Sequence, residues 1–139
     1  MYLVGEGADT KKVTKDGMTM LHSAVSGETV EFVKFLLQDW KDVDEPKNDG
    51  QTPLHLAARS GNEEILELLV TAGADLKKVT NSGCTVLHSA ASGGTVEVVK
   101  LLLRHGMDVD PLDEDGEPPL HFAALEGHKE VLEFLLAEG

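Results

Sequence analysis

The sequence predicts an all-α fold in which one helix-turn-helix unit is copied and stacked into a solenoid. The first observation is a 33-residue period kept by three residue types: His22, His55, His88, His121; Gly17, Gly50, Gly83, Gly116; Ala24, Ala57, Ala90, Ala123. A period of this length indicates one supersecondary unit that buries its apolar face only by stacking on its neighbours. The second observation is composition, with 41% hydrophobic but only 4% aromatic residues. This predicts a continuous aliphatic core between small, closely packed helices.

The second copy shows most clearly why each element should form. Asp49-Gly50 predicts a tight turn, since glycine accepts a positive φ without steric cost. Thr52-Pro53 predicts a helix start, with the hydroxyl as cap and proline at the first helical position, and this helix should stop near Gly61. Asn62 should cap a second helix that Gly73 closes. The buried stripe of that second helix is predicted to be Ile65, Leu66, Leu68, Leu69.

These residues carry a family resemblance. The segment 52–58, with Gly-Ala-Asp at 73–75 and the 33-residue period, resembles the ankyrin repeat. The resemblance implies an ankyrin-repeat solenoid in which β-turn fingers and first helices line a concave groove, while second helices form the convex back. We divide the single domain, residues 1–139, into a partial repeat 1–13, full repeats 14–46, 47–79 and 80–112, and a C-terminal truncated repeat 113–139.

The resemblance also implies function. We expect a non-catalytic protein–protein interaction module that binds a partner protein along the concave groove. The last copy is acidic, so an extended partner segment with basic residues should lie near it. The resemblance implies that binding uses the turn tips and the exposed first-helix positions, which vary between copies. The candidate partner-binding residues at these positions are Met18, Gln51, Arg59, Cys84, Glu114, Asp115, Glu117, Leu125 and Glu126, and Trp40 is a further candidate. Two alternatives stay open: a structural spacer within a larger ankyrin protein, or an engineered ankyrin scaffold without a natural partner.

Charge and composition exclude other classes of partner. The net charge is −13, and such a surface repels the phosphates of nucleic acids and anionic membranes. No apolar run approaches the roughly 20 residues that cross a bilayer, and Met1–Gly7 lacks the basic and long apolar regions of a secretory signal. The single cysteine excludes an internal disulfide and fits a reducing compartment, so we expect an intracellular, cytoplasmic location.

Nothing in the sequence predicts catalysis, a cofactor or a metal. Metal ligands converge to about 2 Å from one ion, whereas equivalent side chains of stacked helices lie roughly 10 Å apart. The resemblance implies instead that the histidines are structural and hydrogen-bond the turn region. The pairs at 22–23 and 88–89 place histidine beside serine, but adjacent helical residues point in different directions. The segment 92–95 is glycine-rich but lacks the spacing of a phosphate loop. Gly93 and Gly94 should instead end one helix before Thr95 caps the next.

Residues that depart from the repeat are the better functional candidates. Trp40 occupies the position of Gly73 and Gly106, so it should strain or remodel the helix end. It is interpreted either as a partner anchor or as a local plug over the helices beneath it. Cys84 lies on a finger and should be accessible, as a redox-active or an ordinary loop residue.

Two further departures concern helix ends. Glu28 stands where other copies have the helix-ending glycine, and Gly27 is expected to take over that role. In the last copy Pro118 replaces the threonine of the other copies and removes its hydroxyl.

The remaining predictions concern contacts between copies. One second-helix position reads Lys34, Glu67, Lys100, Glu133, which predicts ion pairs between neighbouring repeats or is a coincidence on a solvated face. The ends carry no visible capping repeat. We therefore expect fraying, or end-to-end self-association through Phe134, Leu135 and Leu136.

Overall fold

A computed structural model describes residues 14–40 and 42–139. These residues form four consecutive helix pairs, which confirms the all-α solenoid. The helices are α1 Met20–Ser26, α2 Val30–Leu37, α3 Pro53–Ser60, α4 Glu63–Thr71, α5 Val86–Gly93, α6 Val96–Arg104, α7 Pro119–Glu126 and α8 Lys129–Glu138. The first helices of neighbouring pairs pack against each other, and so do the second helices. Two helical layers result, with the turn before each first helix as the finger.

The core lies between these layers and runs through all four pairs. Leu21, Leu54 and Leu87 from the first helices are fully buried, as are Ile65 and Val98 from the second helices. Small alanines of the first helices are buried beside them, because only short side chains let the inner helices approach closely. The core is therefore aliphatic and continuous, as composition predicts.

Local signals set most helix ends. Thr52 accepts a hydrogen bond from the backbone N–H of His55 with Pro53 at the first helical position, and Asn62 accepts one from Ile65. Gly61 ends α3 in the left-handed conformation with φ of +78°. These predictions are confirmed. By contrast, no side-chain hydrogen bond of Thr95 caps α6.

The end of α1 departs from the prediction. Gly27 is right-handed with φ of −79°, and the positive φ of +56° stays on Glu28. The prediction that Gly27 would take over the helix-ending role from the residue at position 28 was wrong. The reason is that the hydrogen bonds closing the helix fix which residue turns: the Gly27 N–H reaches the Ser23 carbonyl and the Thr29 N–H the Ala24 carbonyl. Glu28 stands between them and adopts the strained conformation.

Trp40 remodels the loop after α2. Helix α2 ends at Leu37, whereas α4 ends at Thr71, one position further along the repeat. Among the described residues Glu28 is the only non-glycine with a positive φ, so Trp40 is not left-handed. Its indole is half-buried against the core, and its Nε1–H donates to the Asp42 carbonyl at 3.1 Å.

The C-terminal end offers less apolar surface than expected. Leu135 is only 3% exposed, and Phe134 is half-buried with the Lys100 Nζ 5.5 Å from its ring centroid. Leu135 is therefore not available for the predicted self-association, because the last helix turns it into the core, and self-association through Phe134 and Leu136 stays a prediction. Leu136 at 60% exposure and Leu125 at 77% are the large apolar side chains that this end exposes.

Candidate functional site

The fingers form a hydrogen-bonded ladder that positions one side of the candidate site. The backbone N–H of each of three finger residues donates to a carbonyl of the preceding finger, at 2.8, 3.0 and 2.9 Å. Two of these residues are asparagines whose side chains donate a second time, Asn48 to Lys15 and Asn81 to Asn48. The third is Glu114, a side chain with no N–H to donate. The first two steps of the finger ladder therefore each have two hydrogen bonds, and the last step has one.

Three histidines tie each first helix to the next finger. In each, Nδ1 accepts from the backbone N–H of the threonine three residues before it, which places the ring proton on Nε2. Nε2–H then donates to a finger carbonyl of the next repeat: His22 to Gln51 at 3.2 Å, His55 to Cys84 at 3.1 Å and His88 to Glu117 at 2.8 Å. Both ring nitrogens are thus used within the protein.

Burial perturbs two of these rings. Desolvation lowers the pKa of His22 and of His55 below the usual 6.5, although the hydrogen bonds to the Gln51 and Cys84 carbonyls act in the opposite direction. Both rings are neutral at physiological pH, which the bonding pattern also requires. The prediction that these histidines are structural is confirmed for His22, His55 and His88.

A pocket of about 160 Å³ lies between the fingers and the first helices. Asp49, Gln51, Thr80, Ser82 and Cys84 line it from the fingers, and Arg59, His88, Ser89, Ser92 and Phe122 line it from the first helices. We call it the central pocket. Its lining carries both charge signs, in the Asp49 carboxylate and the Arg59 guanidinium, and one aromatic ring, that of Phe122.

The Asp49 carboxylate is held as an anion on this pocket. Burial acts to raise its pKa, but the hydrogen bonds from the Gln51 side chain and backbone and the nearby Lys47 ammonium outweigh burial, so the pKa lies below its usual value. Gln51 donates from its backbone N–H to Oδ1 at 3.0 Å and from Nε2 to Oδ2 at 2.8 Å. The pocket lining therefore includes a fixed negative charge, at Asp49, as well as the positive charge of Arg59.

The comparison with protein families decides the identity of this architecture. A family model described as ankyrin repeats (3 copies) matches the chain twice, at residues 1–80 and at residues 72–139. Together the two matches span the chain. The chain belongs to the ankyrin-repeat family. Ankyrin repeats are generally protein-interaction modules, and the family is typically non-catalytic. No curated protein matches the chain closely enough to count as a relative.

The central pocket of this ankyrin array brings together three of the predicted binding residues, Gln51, Arg59 and Cys84. The others lie elsewhere. Met18 is half-buried on the first described finger and Leu125 is exposed at the end of α7. Trp40 follows α2, on the second-helix side. The sequence-predicted set is thus one cluster with outlying members, rather than one continuous patch.

Sequence reasoning missed Ser89 and Phe122. Both occupy one first-helix position, which reads Ser23, Leu56, Ser89 and Phe122 in successive repeats. That variation is the same signal that singled out Arg59, so the pair could have been found. Phe122 packs edge-on against the His88 ring at a centroid distance of 5.0 Å, and it supplies the aromatic wall of the central pocket.

The acidic residues of the last finger also serve its structure. The Asp113 carboxylate accepts from the backbone N–H of Asp115 at 3.0 Å and of Glu117 at 2.8 Å. Glu117 Oε2 lies 3.2 Å from His121 Nε2. Carboxylate oxygens of Asp113, Asp115 and Glu117 lie within 4.8 Å of one another. Glu114, Asp115 and Glu126 are exposed, so the last repeat presents concentrated negative charge to solvent.

In the described part of this ankyrin chain, no helix has both the length and the apolar character needed to cross a membrane.

Proposed function

We propose that this ankyrin-repeat array binds an extended segment of a partner protein along its concave groove, with basic residues of that segment at the acidic last repeat. The observation that carries the proposal is the central pocket, where the variable positions of two fingers and three first helices converge. Folding and stacking do not fix the residue at a position that varies between copies, so such a position can serve binding. By contrast, folding and stacking explain why the histidine recurs in every copy.

The chemistry of the pocket suits an amphipathic side chain. Phe122 offers an aromatic face, the Ser89 and Ser92 hydroxyls offer hydrogen bonds, and Asp49 offers a fixed anion. A volume of about 160 Å³ admits one side chain rather than a small-molecule substrate. Arg59 beside the pocket is a residue type that often contributes strongly to binding.

The last repeat extends this groove with negative charge. Glu114, Asp115 and Glu126 are exposed, and exposed carboxylates of one sign raise the association rate of a basic partner. Trp40, Met18 and Leu125 remain secondary candidates, because they lie outside the pocket. The single cysteine supports a reducing intracellular compartment, such as the cytoplasm, as the place of action.

The test is charge reversal at the last finger. The wild-type chain, Glu114→Lys with Glu117→Lys, and a matched control, Glu130→Lys with Glu138→Lys on α8, are immobilised and exposed to cell lysate. Bound proteins are identified by mass spectrometry, and the affinity of the purified partner is measured by calorimetry. We expect the finger variant to lose about tenfold in affinity, or about 1.4 kcal/mol, and the control to bind as wild type.

A partner that binds the finger variant and the wild type equally contradicts the role of the acidic fingers. Failure to retain any protein favours the alternative of a structural spacer. A further variant, Arg59→Ala with Phe122→Ala, measures the contribution of the central pocket to the affinity separately from that of the acidic last finger. The pocket contributes short-range contacts, whereas the finger contributes charge.

A further inference from the structure

A second groove lies on the opposite side of the molecule, between α2 and α4. We call it the outer groove, and its cavity volume is about 640 Å³. Its floor is apolar and consists of Leu37, Leu68 and Ala72. It shares no residue with the central pocket, so what binds there is independent of the function proposed above.

The outer groove is open because two small or aliphatic residues replace larger ones found in the next repeats. Between α4 and α6, His105 Nε2 crosses to Glu67 Oε1 at 3.0 Å. Between α6 and α8, the Lys100 Nζ lies over the Phe134 ring. At the positions equivalent to His105 and Phe134, the α2–α4 step has Ala72 and Leu68. Neither can bridge the gap.

The rim of the outer groove is acidic. Glu63, Glu64 and Glu67 line it, against one ammonium, that of Lys34. The predicted pairing of Lys34 with Glu67 does not occur. Lys34 Nζ lies instead 3.5 Å from Glu31 and 3.9 Å from Glu64, so two carboxylates already neutralise it. The remaining charge on the rim is negative.

We propose that the outer groove docks one amphipathic helical segment of a protein partner, with lysine or arginine residues flanking its leucine-type face. The apolar face would cover Leu37, Leu68 and Ala72, and the cations would meet Glu63, Glu64 and Glu67. On α4 the lining residues extend from Glu63 to Ala72, whereas α2 lines the groove only with its last turn, from Lys34 to Gln38. The α4 wall is about 13 Å long, which matches two to three turns of a docked helix. Charge complementarity selects a basic segment over an acidic one.

The probe is an acetylated 14-residue peptide of leucine and lysine, with leucine at helical i, i+3, i+4, i+7 spacing. It is titrated into the isotope-labelled protein and followed by two-dimensional amide NMR. We expect the shifted resonances to cluster on α2 and α4. The same peptide with glutamate in place of lysine should cause no shifts.

Two variants fill the outer groove. Leu68→Phe copies the α6–α8 step, because the residue equivalent to Lys100 is Lys34. Ala72→His adds a ring at an exposed helix end and fills the groove by its volume, since Lys34 stands where the α4–α6 step has the Glu67 carboxylate. Each should weaken binding of the peptide about tenfold. Because Leu68 is half-buried, Glu63→Gln with Glu64→Gln serves as a variant that leaves the packing intact and should weaken binding by a similar factor. Circular dichroism confirms that each variant is folded.

The concave variant Glu114→Lys with Glu117→Lys is the control, and its affinity for the peptide should stay within twofold of wild type. Shifts confined to the fingers, equal binding by Ala72→His, binding of the glutamate peptide or no binding at all would each overturn the proposal. Shifts confined to the fingers would place the basic peptide at the acidic last repeat, as the function proposed above expects. The other outcomes do not bear on the partner of the concave groove, because that function is tested by a different variant and a different ligand.

Discussion

The second and last repeats carry almost the same motif, yet the histidine at its centre behaves differently in each. Thr52-Pro53-Leu54-His55 and Pro118-Pro119-Leu120-His121 differ at one position, the N-cap residue, which is Thr52 in one repeat and Pro118 in the other. His55 is fully buried and bonded to Thr52 and Cys84. The side chain of His121 is 59% exposed and reaches Glu117 of its own finger.

This difference shows that the motif does not determine the role of the histidine by itself. To join two repeats, the histidine needs a backbone N–H and a hydroxyl group from the N-cap residue, both of which contact Nδ1. It also needs a finger carbonyl of another repeat that accepts a hydrogen bond from Nε2–H. Pro118 supplies neither of the first two groups. The histidine of the second repeat is therefore part of a contact between repeats, and that of the last repeat is a surface residue. Three predictions test the comparison.

The largest effect is expected from His55→Ala. Removing the ring leaves a cavity and deprives the Cys84 carbonyl of its donor, so the free energy of unfolding should fall by about 3–5 kcal/mol. His121→Ala is the matched control and should change it by less than about 0.5 kcal/mol, as for an exposed residue. Urea denaturation followed by circular dichroism measures both. Equal losses for the two variants would contradict the proposed contrast.

The second effect is a pH dependence of stability. Because burial lowers the pKa of His22 and His55 in the folded protein, the unfolded chain binds more protons than the folded one once the pH falls below about 6.5. Their contribution is fully present above that pH and is lost as the pH falls toward the folded pKa. Each ring adds a slope of up to about 1.4 kcal/mol per pH unit.

Denaturation curves recorded from pH 7.5 to 5 measure this slope. His55→Gln should reduce it, since glutamine suits the capping box but does not titrate in this range. A His55→Gln slope identical to that of wild type would refute the assignment of the pH dependence to this buried ring.

The smallest effect is expected from Pro118→Thr. The backbone at Pro118, with φ of −84° and ψ of 167°, already matches that at Thr52, with −88° and 168°. Threonine can therefore cap α7 without rearrangement, and it restores both groups that hold Nδ1. We expect a gain of about 0.5 kcal/mol, because the cap is partly offset by the greater freedom of the unfolded chain. Thermal unfolding measures it, and Pro118→Ala, which has no hydroxyl, should show no gain.

The elements that the sequence predicted correctly are those whose cause is local. The start of α3 follows from Thr52-Pro53, its end from Gly61, and the start of α4 from Asn62. Each depends on hydrogen bonds that span three or four residues. The misplaced positive φ at Glu28 shows the limit of such reasoning, because two backbone hydrogen bonds on either side decide which residue turns.

The sites were predicted less completely. Variation between copies identified Gln51, Arg59 and Cys84, and the same signal at Ser89 and Phe122 went unused. No sequence signal pointed to the outer groove. The groove is open because the side chains of Ala72 and Leu68 are too short to bridge the space between α4 and α2 of the neighbouring repeat. The alternating charges predicted ion pairs between neighbouring members of the series Lys34, Glu67, Lys100 and Glu133, and none of these pairs forms. Lys34 instead lies near Glu31 and Glu64, Glu67 bonds to His105, and Lys100 lies over the Phe134 ring.

The sequence by itself determined the repeat, its 33-residue period, the caps of α3 and α4, and the family. Every copy must satisfy the same local requirements, so the residues that satisfy them recur along the chain. Only the tertiary structure decided which finger carbonyl each histidine meets, which variable side chains share the central pocket, and which step between outer helices stays open. Those outcomes depend on side chains about 30 or more residues apart in the chain, as between His55 and Cys84 or His105 and Glu67. Stacking brings such side chains together, and a local sequence pattern does not encode their distance.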